Sequence, residues 1–262
     1  MISFSNQDGH ISPMGIQFYD EKDKEKGLPK IAVGIFSHYL ISFILEEHKD
    51  LVVKNIGYIA TANLHRDVYI LNYKGTELCF FMAGVGAPCI ASDIEDLAVN
   101  GVKTFIITGN CGVLDESIED CGIIIPTKAY REEGTSYHYV PATQAIDLNP
   151  KYIKEFEEVL DSLGMSHTKC YTWTTDAPYR ETPSKIDYYK SQGALCVEME
   201  GSAIAAVCKY RKLDYFTFYY AGDNLDAPKW DPRSLSGLDS FDKKKIVPFL
   251  CFELANKIDE RK

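Results

Sequence analysis

From Lys30 onward, continuous apolar runs alternate with stretches of helical spacing. KIAVGIF at 30–36 reads as a buried strand, and His38–Glu47 follows with Leu40, Ile41, Ile44 and Leu45 on one helical face. IGYIATA, DVYILNY and ELCFFMAG read as three more strands, with Lys74-Gly75 as a hairpin cue between the last two. A second helix begins near Pro88, a residue suited to a first turn, carries Ile90, Ile94, Leu97 and Ala98 on one side, and closes at Asn100-Gly101. Beyond it, KTFIIT, CGIIIPT, SYHY, KCYTWTT, ALCVEM and DYFTFYYAG read as strands. Residues 150–163, 183–192, Gly201–Tyr210 and about Asp242–Ile258 read as helices. This alternation predicts one α/β domain with a central mixed β-sheet flanked by helices. Residues 1–28 differ: they are polar, with the charge run DEKDKEKG from Asp20, and read as an N-terminal arm ahead of a folded domain at 29–262.

Charge narrows the range of partners. The 262 residues carry 28 Lys+Arg and 38 Asp+Glu, a formal net charge of −10, with no basic stripe. A duplex or a phospholipid surface needs local positive charge, so neither nucleic acid nor membrane is expected as a partner. Small anions remain possible ligands, because a few N–H groups and one cation can hold them. No apolar run approaches the roughly 18 residues of a membrane helix. The segment MISFSNQDGHISPMG lacks the charged and apolar regions of a signal peptide, so the expected setting is cytoplasmic. Eight cysteines, none in a CxxC, sit mostly in apolar segments and read as free thiols; no metal site is expected.

In α/β sheets ligands bind at the carboxyl ends of strands, which directs attention to the strand–loop junctions. Gly84-Val85-Gly86-Ala87-Pro88 precedes a helix and suits a tight turn or an anion, but it matches neither GxGxxG nor GxxxxGK[ST]. Gly109-Asn110-Cys111-Gly112 reads as a loop after KTFIIT, a plain turn or a pocket wall. Val197-Glu198-Met199-Glu200 ends a strand in paired carboxylates, fit either to bind vicinal hydroxyls or to cap the following helix. Gly222-Asp223-Asn224 offers a general acid or an Asx-turn. His138 reads as a core or interface histidine, and His10, His48, His65 and His167 as surface residues.

Taken together, VEME at 197–200, GNCG at 109–112, AYREEGTSYHY at 129–139 and Gly222-Asp223 resemble the nucleoside phosphorylase family. That superfamily includes purine nucleoside phosphorylases, uridine phosphorylases and methylthioadenosine nucleosidases, and the likeness runs from about Lys30 to the end. It implies a catalytic domain at 29–262 that cleaves a nucleoside N-glycosidic bond, assembles as a homo-oligomer (dimer or hexamer), and uses no cofactor besides inorganic phosphate as co-substrate. By the resemblance, Asp223 is the catalytic acid at N7 of a purine. Glu200, Met199, Glu198 and Val85 hold the ribose, and Cys111, Gly112, Val197, Tyr179 and Arg180 face the base. Gly34, His38, Arg66, Gly86 and Asn110 form the phosphate or nucleophile site, with Arg66 lent to a neighbouring subunit. This chain departs from the family at two phosphate arginines: Ile35-Phe36-Ser37-His38 follows Gly34, and Ile107 stands three residues before Asn110. Phosphate is the expected nucleophile and a purine nucleoside the expected substrate. The rival readings are a uridine phosphorylase, a nucleosidase in which His38 serves water, and a binding protein that has lost turnover.

Overall fold

A computed structural model describes residues 4–5, 7–235 and 238–261. Eleven strands form one mixed sheet. In chain order they are β1 (Gln17–Phe18), β2 (Ile31–Ile35), β3 (Val52–Ala60), β4 (His65–Tyr73), β5 (Thr76–Met82), β6 (Thr104–Val113), β7 (Ile123–Glu132), β8 (Ala145–Asp147), β9 (His167–Thr175), β10 (Ala194–Glu198) and β11 (Asp214–Asn224). The strand path is β1-β3-β4-β5-β2-β6-β10-β9-β7-β11, with β8 on β7. A further parallel pairing of β11 with β6 closes the last five strands of that path into a ring. Half of the sheet is therefore open and half is closed on itself.

The helices are α1 (Glu21–Lys26), α2 (His38–Glu47), α3 (Ala87–Val99), α4 (Ser136–Tyr139), α5 (Ile153–Ser162), α6 (Pro183–Ser191), α7 (Gly201–Arg211), α8 (Phe241–Lys244) and α9 (Ile246–Asp259). Alternation along the central strands builds a core on each face. Val33, Phe80 and Ile106 pack with Leu40, Ile44, Leu250 and Phe252 of α2 and α9. Ala32, Phe81, Phe105 and Ile107 pack with Ile90, Ile94, Ile204 and Cys208 of α3 and α7. Burial on both faces explains why β2 and β6 read as unbroken apolar runs. Among the described residues no helix is long and apolar enough to cross a membrane.

Four local expectations change. The segment 109–112 is not a loop, because β6 runs through it, pairing Asn110 with Tyr220 and Gly112 with Val197. SYHY is the short helix α4 rather than a strand, since Glu133 caps it by accepting from the Ser136 N–H at 2.8 Å, and His138 is exposed on it. The final helix is two, α8 and α9, broken at Lys245. The polar arm joins the domain through β1 on β3, while its charge run forms α1, capped by Asp20.

Candidate active site

Strand ends converge on one cleft. Phe36 follows β2, Val85 follows β5, Asn110, Cys111 and Gly112 end β6, Val197 and Glu198 end β10, and Asp223 ends β11. With Met199, Glu200, Pro178, Glu181 and Leu235 they line a cavity of ≈ 200 Å³. Gly112 is required there by close approach. A Cβ on it would lie 2.4 Å from Leu225 Cδ1 and 3.2 Å from Asp223 Oδ1.

The two glutamates of the VEME segment have different fates. Glu198 is saturated: Oε1 accepts from the Thr174 hydroxyl at 2.6 Å, and Oε2 from the N–H groups of Glu200 at 2.8 Å and Gly201 at 2.5 Å. It is a buried cap of α7, and its wall of the cleft offers no free oxygen pair for a sugar. Among the described residues Glu200 accepts one well-formed hydrogen bond, from the Gly86 N–H at 2.6 Å on Oε1, and its Oε2 has no such donor among them. Burial, then the neighbouring Glu198 charge, pushes the Glu200 carboxyl up to about 8. Desolvation holds Glu198 at about 7 despite its donors.

Asp223 is 9% exposed, and its Oδ2 accepts from the Trp230 indole N–H at 2.6 Å. Glu181, which the sequence reading passed over, lines the same wall. Burial, then the Asp223 charge, raises its carboxyl to about 7. Trp230 and Tyr179 border a wider groove that shares Pro178, Glu181, Asp223 and Leu235 with the cleft. Tyr179 is 99% exposed on that rim. Arg180 is exposed and lines neither space.

The expected phosphate ligands separate. Arg66 is 2% exposed, and its guanidinium is bidentate to Asp93 at 2.6 and 2.5 Å, with a further bond to the Met82 carbonyl at 3.0 Å. Held under α3 within its own chain, it cannot be lent to a neighbour. Gly34 is enclosed in β2 between Phe81 and Ile107. Two amides of the 84–86 loop are also committed, Gly84 to Asp93 and Gly86 to Glu200. Gly86 has φ +94°, a conformation open to glycine and costly for other residues, and this aims its N–H at the carboxylate. His38 and Asn110 stay together, lining a second cavity of ≈ 180 Å³ that adjoins the cleft through Phe36, Asn110 and Leu235.

This geometry accords with what the chain is similar to. A family model described as "Phosphorylase superfamily" matches residues 37–244. The chain belongs to that superfamily. Among curated members, it is 29% identical to the guanosine phosphorylase of Halorubrum lacusprofundi over 155 residues, which is 57% of this chain and 63% of that one. It is 36% identical to the uridine phosphorylase of Thermococcus kodakarensis over 111 residues, covering 41% of this chain and 39% of that one. The chain thus spans less than two thirds of the length of these relatives. Among solved structures, purine nucleoside phosphorylase from Toxoplasma gondii, in complex with immucillin-H, superposes with TM-score 0.75 at 20% identity, covering 97% of this chain and 99% of that one. The 5′-methylthioadenosine/S-adenosyl homocysteine nucleosidase of Campylobacter jejuni gives 0.69 at 22% identity, covering 88% and 100%. At those identities the superpositions establish a shared fold. Phosphorolytic and hydrolytic proteins share it, so the choice between them falls to this superfamily member's own side chains.

Proposed function

We propose that the chain is a nucleoside phosphorylase with a preference for purine nucleosides. The observation that carries this reading is the pairing of two adjoining spaces. One holds the carboxyls of Glu181, Glu198, Glu200 and Asp223, and the other has no carboxylate among the described residues that line it. In the first, the free oxygen of Glu200 accepts from a ribose hydroxyl, and Met199 and Val85 pack on the sugar. Cys111, Gly112 and Val197 wall the base, and Asp223, held by Trp230, faces its imidazole edge. The C1′–N9 bond breaks with its electron pair passing to the base. A phosphate oxygen forms the new bond to C1′, giving ribose 1-phosphate. The proton of hydrogen phosphate ends on the base, with Asp223 sharing it at N7 as charge develops. Water in place of phosphate would need a general base; among the described residues lining the second space that role falls to His38, with no carboxylate beside it. The proposal includes a homo-oligomer, dimer or hexamer, in the cytoplasm, and no resident cofactor; these parts rest on the family resemblance.

Inosine, adenosine and uridine incubated with and without phosphate, with base and sugar products separated by chromatography, test the reading. Phosphate-dependent release of purine base with ribose 1-phosphate is expected. Free ribose at full rate without phosphate, or faster cleavage of uridine, overturns it.

A further inference from the structure

Lys244 solves a problem left by the missing arginines. It ends α8 and is 6% exposed, and its side chain lines the second cavity beside Ser37, His38, Asn110 and Tyr220. Its ammonium donates to the Ser234 carbonyl, and among the described residues no ion pair engages it. Burying a cation costs several kcal/mol in general; Asp120, which accepts from the hydroxyls of Ser234 and Ser240, forms no ion pair with it among the described residues, and an anion in the cavity would balance the charge. Contrast Arg66, equally buried, whose charge is matched by Asp93.

A second, independent observation points the same way. Tyr220 is 5% exposed and lines the cavity, and its hydroxyl has no hydrogen-bond partner among the described residues. The Asn110 amide also has none there. The cavity floor is the start of α2, a ten-residue helix capped by Ser37, whose first-turn amides lack intrahelical acceptors and carry the positive end of the dipole. One cation, an amide, a phenol and helix N–H groups, with no carboxylate in the lining, make a set of donors shaped for a tetrahedral oxyanion.

The structure assigns Lys244 as the cation, and Tyr220 as a donor, of an inorganic-phosphate site in this cavity, deepening the proposed phosphorolysis and resting on it for the reaction but not for the binding. The charge that the family places after the first strand comes here from the C-terminal segment. Asn110 and Phe36, shared by both spaces, put the phosphate beside the sugar.

The test uses the full chain, with inosine saturating and phosphate varied, in wild type, Lys244→Gln and Lys244→Arg. Losing one charge-assisted contact should raise the phosphate KM about 10- to 100-fold in Lys244→Gln. The inosine KM should stay within about twofold, and Lys244→Arg should recover part of the loss. An unchanged phosphate KM in Lys244→Gln overturns the assignment and leaves phosphorolysis standing. Free ribose from wild type without phosphate overturns the reaction instead, and the site is then judged by binding alone. For that, wild-type chain is reductively methylated with and without inorganic phosphate and Lys244 is followed by mass spectrometry. Slower labelling of Lys244 with phosphate, and not of exposed Lys243, supports the site; equal labelling overturns it. This readout needs no variant, so it holds even where Lys244→Gln fails to fold.

Discussion

The two adjoining spaces share three walls yet are opposite in chemistry. The first cleft gathers Glu181, Glu198, Glu200 and Asp223, with no Lys, Arg or His among the described residues that line it. The cavity beside it gathers donors, Lys244 among them, and no acid among the described residues that line it. A chain of net charge −10 thus keeps a chamber lined by a buried lysine directly beside a cluster of buried acids. Global charge speaks against extended polyanions as partners, but it does not report on one enclosed chamber where two or three side chains set the field. Within the acidic space the same contrast repeats. Glu198 has its charge consumed by four donors of its own fold, whereas Glu200 keeps an acceptor open to the cleft.

If the acidic side performs the bond cleavage, the largest effect belongs to Asp223. Asp223→Asn should lower kcat on inosine about 10²- to 10⁴-fold, the usual range for general acid assistance. A nucleoside analogue with an activated leaving base should lose far less, as read from rates of base release. Equal losses on both would make Asp223 a residue that only positions the base.

Glu200→Gln should have a smaller, selective effect. Above about pH 8, where the carboxyl is ionised, a charge-assisted bond to the 2′-hydroxyl is worth about 1.5–3 kcal/mol, or roughly 10- to 150-fold in kcat/KM on ribonucleosides. The 2′-deoxynucleoside has no such bond to lose. Parallel losses on the two sugars would group Glu200 with Glu198 as a structural carboxylate and erase the contrast between them.

The smallest effect is a pH dependence. A carboxyl held above its ordinary value binds its proton more tightly in the folded than in the unfolded chain. Its contribution to stability is then full below about pH 4.5 and is lost as pH rises through the folded value. With Glu181 and Glu198 at about 7 and Glu200 at about 8, the melting temperature of the ligand-free chain should fall as pH rises from about 4.5 to about 8. Glu200→Gln should flatten the upper part of that fall. A melting temperature that rises over this range, measured by calorimetry, would contradict the burial that sets these carboxyls apart from ordinary surface acids.

Much of this was legible in the residues. Unbroken apolar runs marked β2 and β6 because both faces of those strands are covered, and VEME and Gly222-Asp223 marked the acidic space. What stayed hidden depends on contacts between distant positions. Arg66 read as a donor to a neighbour, and nothing local shows that Asp93, 27 residues on, neutralises it. Glu181 sits next to Arg180 in a polar stretch and looks solvated until Asp223 is brought opposite. Lys244 belongs to the run DKKK, where Lys243 is exposed and only the turn of α8 carries its neighbour inward. Tyr220 was one aromatic in an alternating strand, and its hydroxyl matters only because the cavity opens beside it. GNCG, with two glycines, reads locally as a turn; pairing to β10 and β11 keeps it extended.

The closure of β11 onto β6 also sets the order in which this protein can acquire its chemistry. The bond from the Thr217 hydroxyl to the Ile107 carbonyl, 2.9 Å long, spans 110 residues of chain. Contacts so distant in sequence must overcome loop entropy before they contribute, whereas β3, β4 and β5 pair through short hairpins. During synthesis, from the N-terminus onward, the open half of the sheet is complete while Asp223, Tyr220 and Lys244 have yet to emerge. Val85, Cys111 and Glu200 precede them in the chain, so the walls of the cleft are made first and its lining is completed only with the last strand and the helix after it.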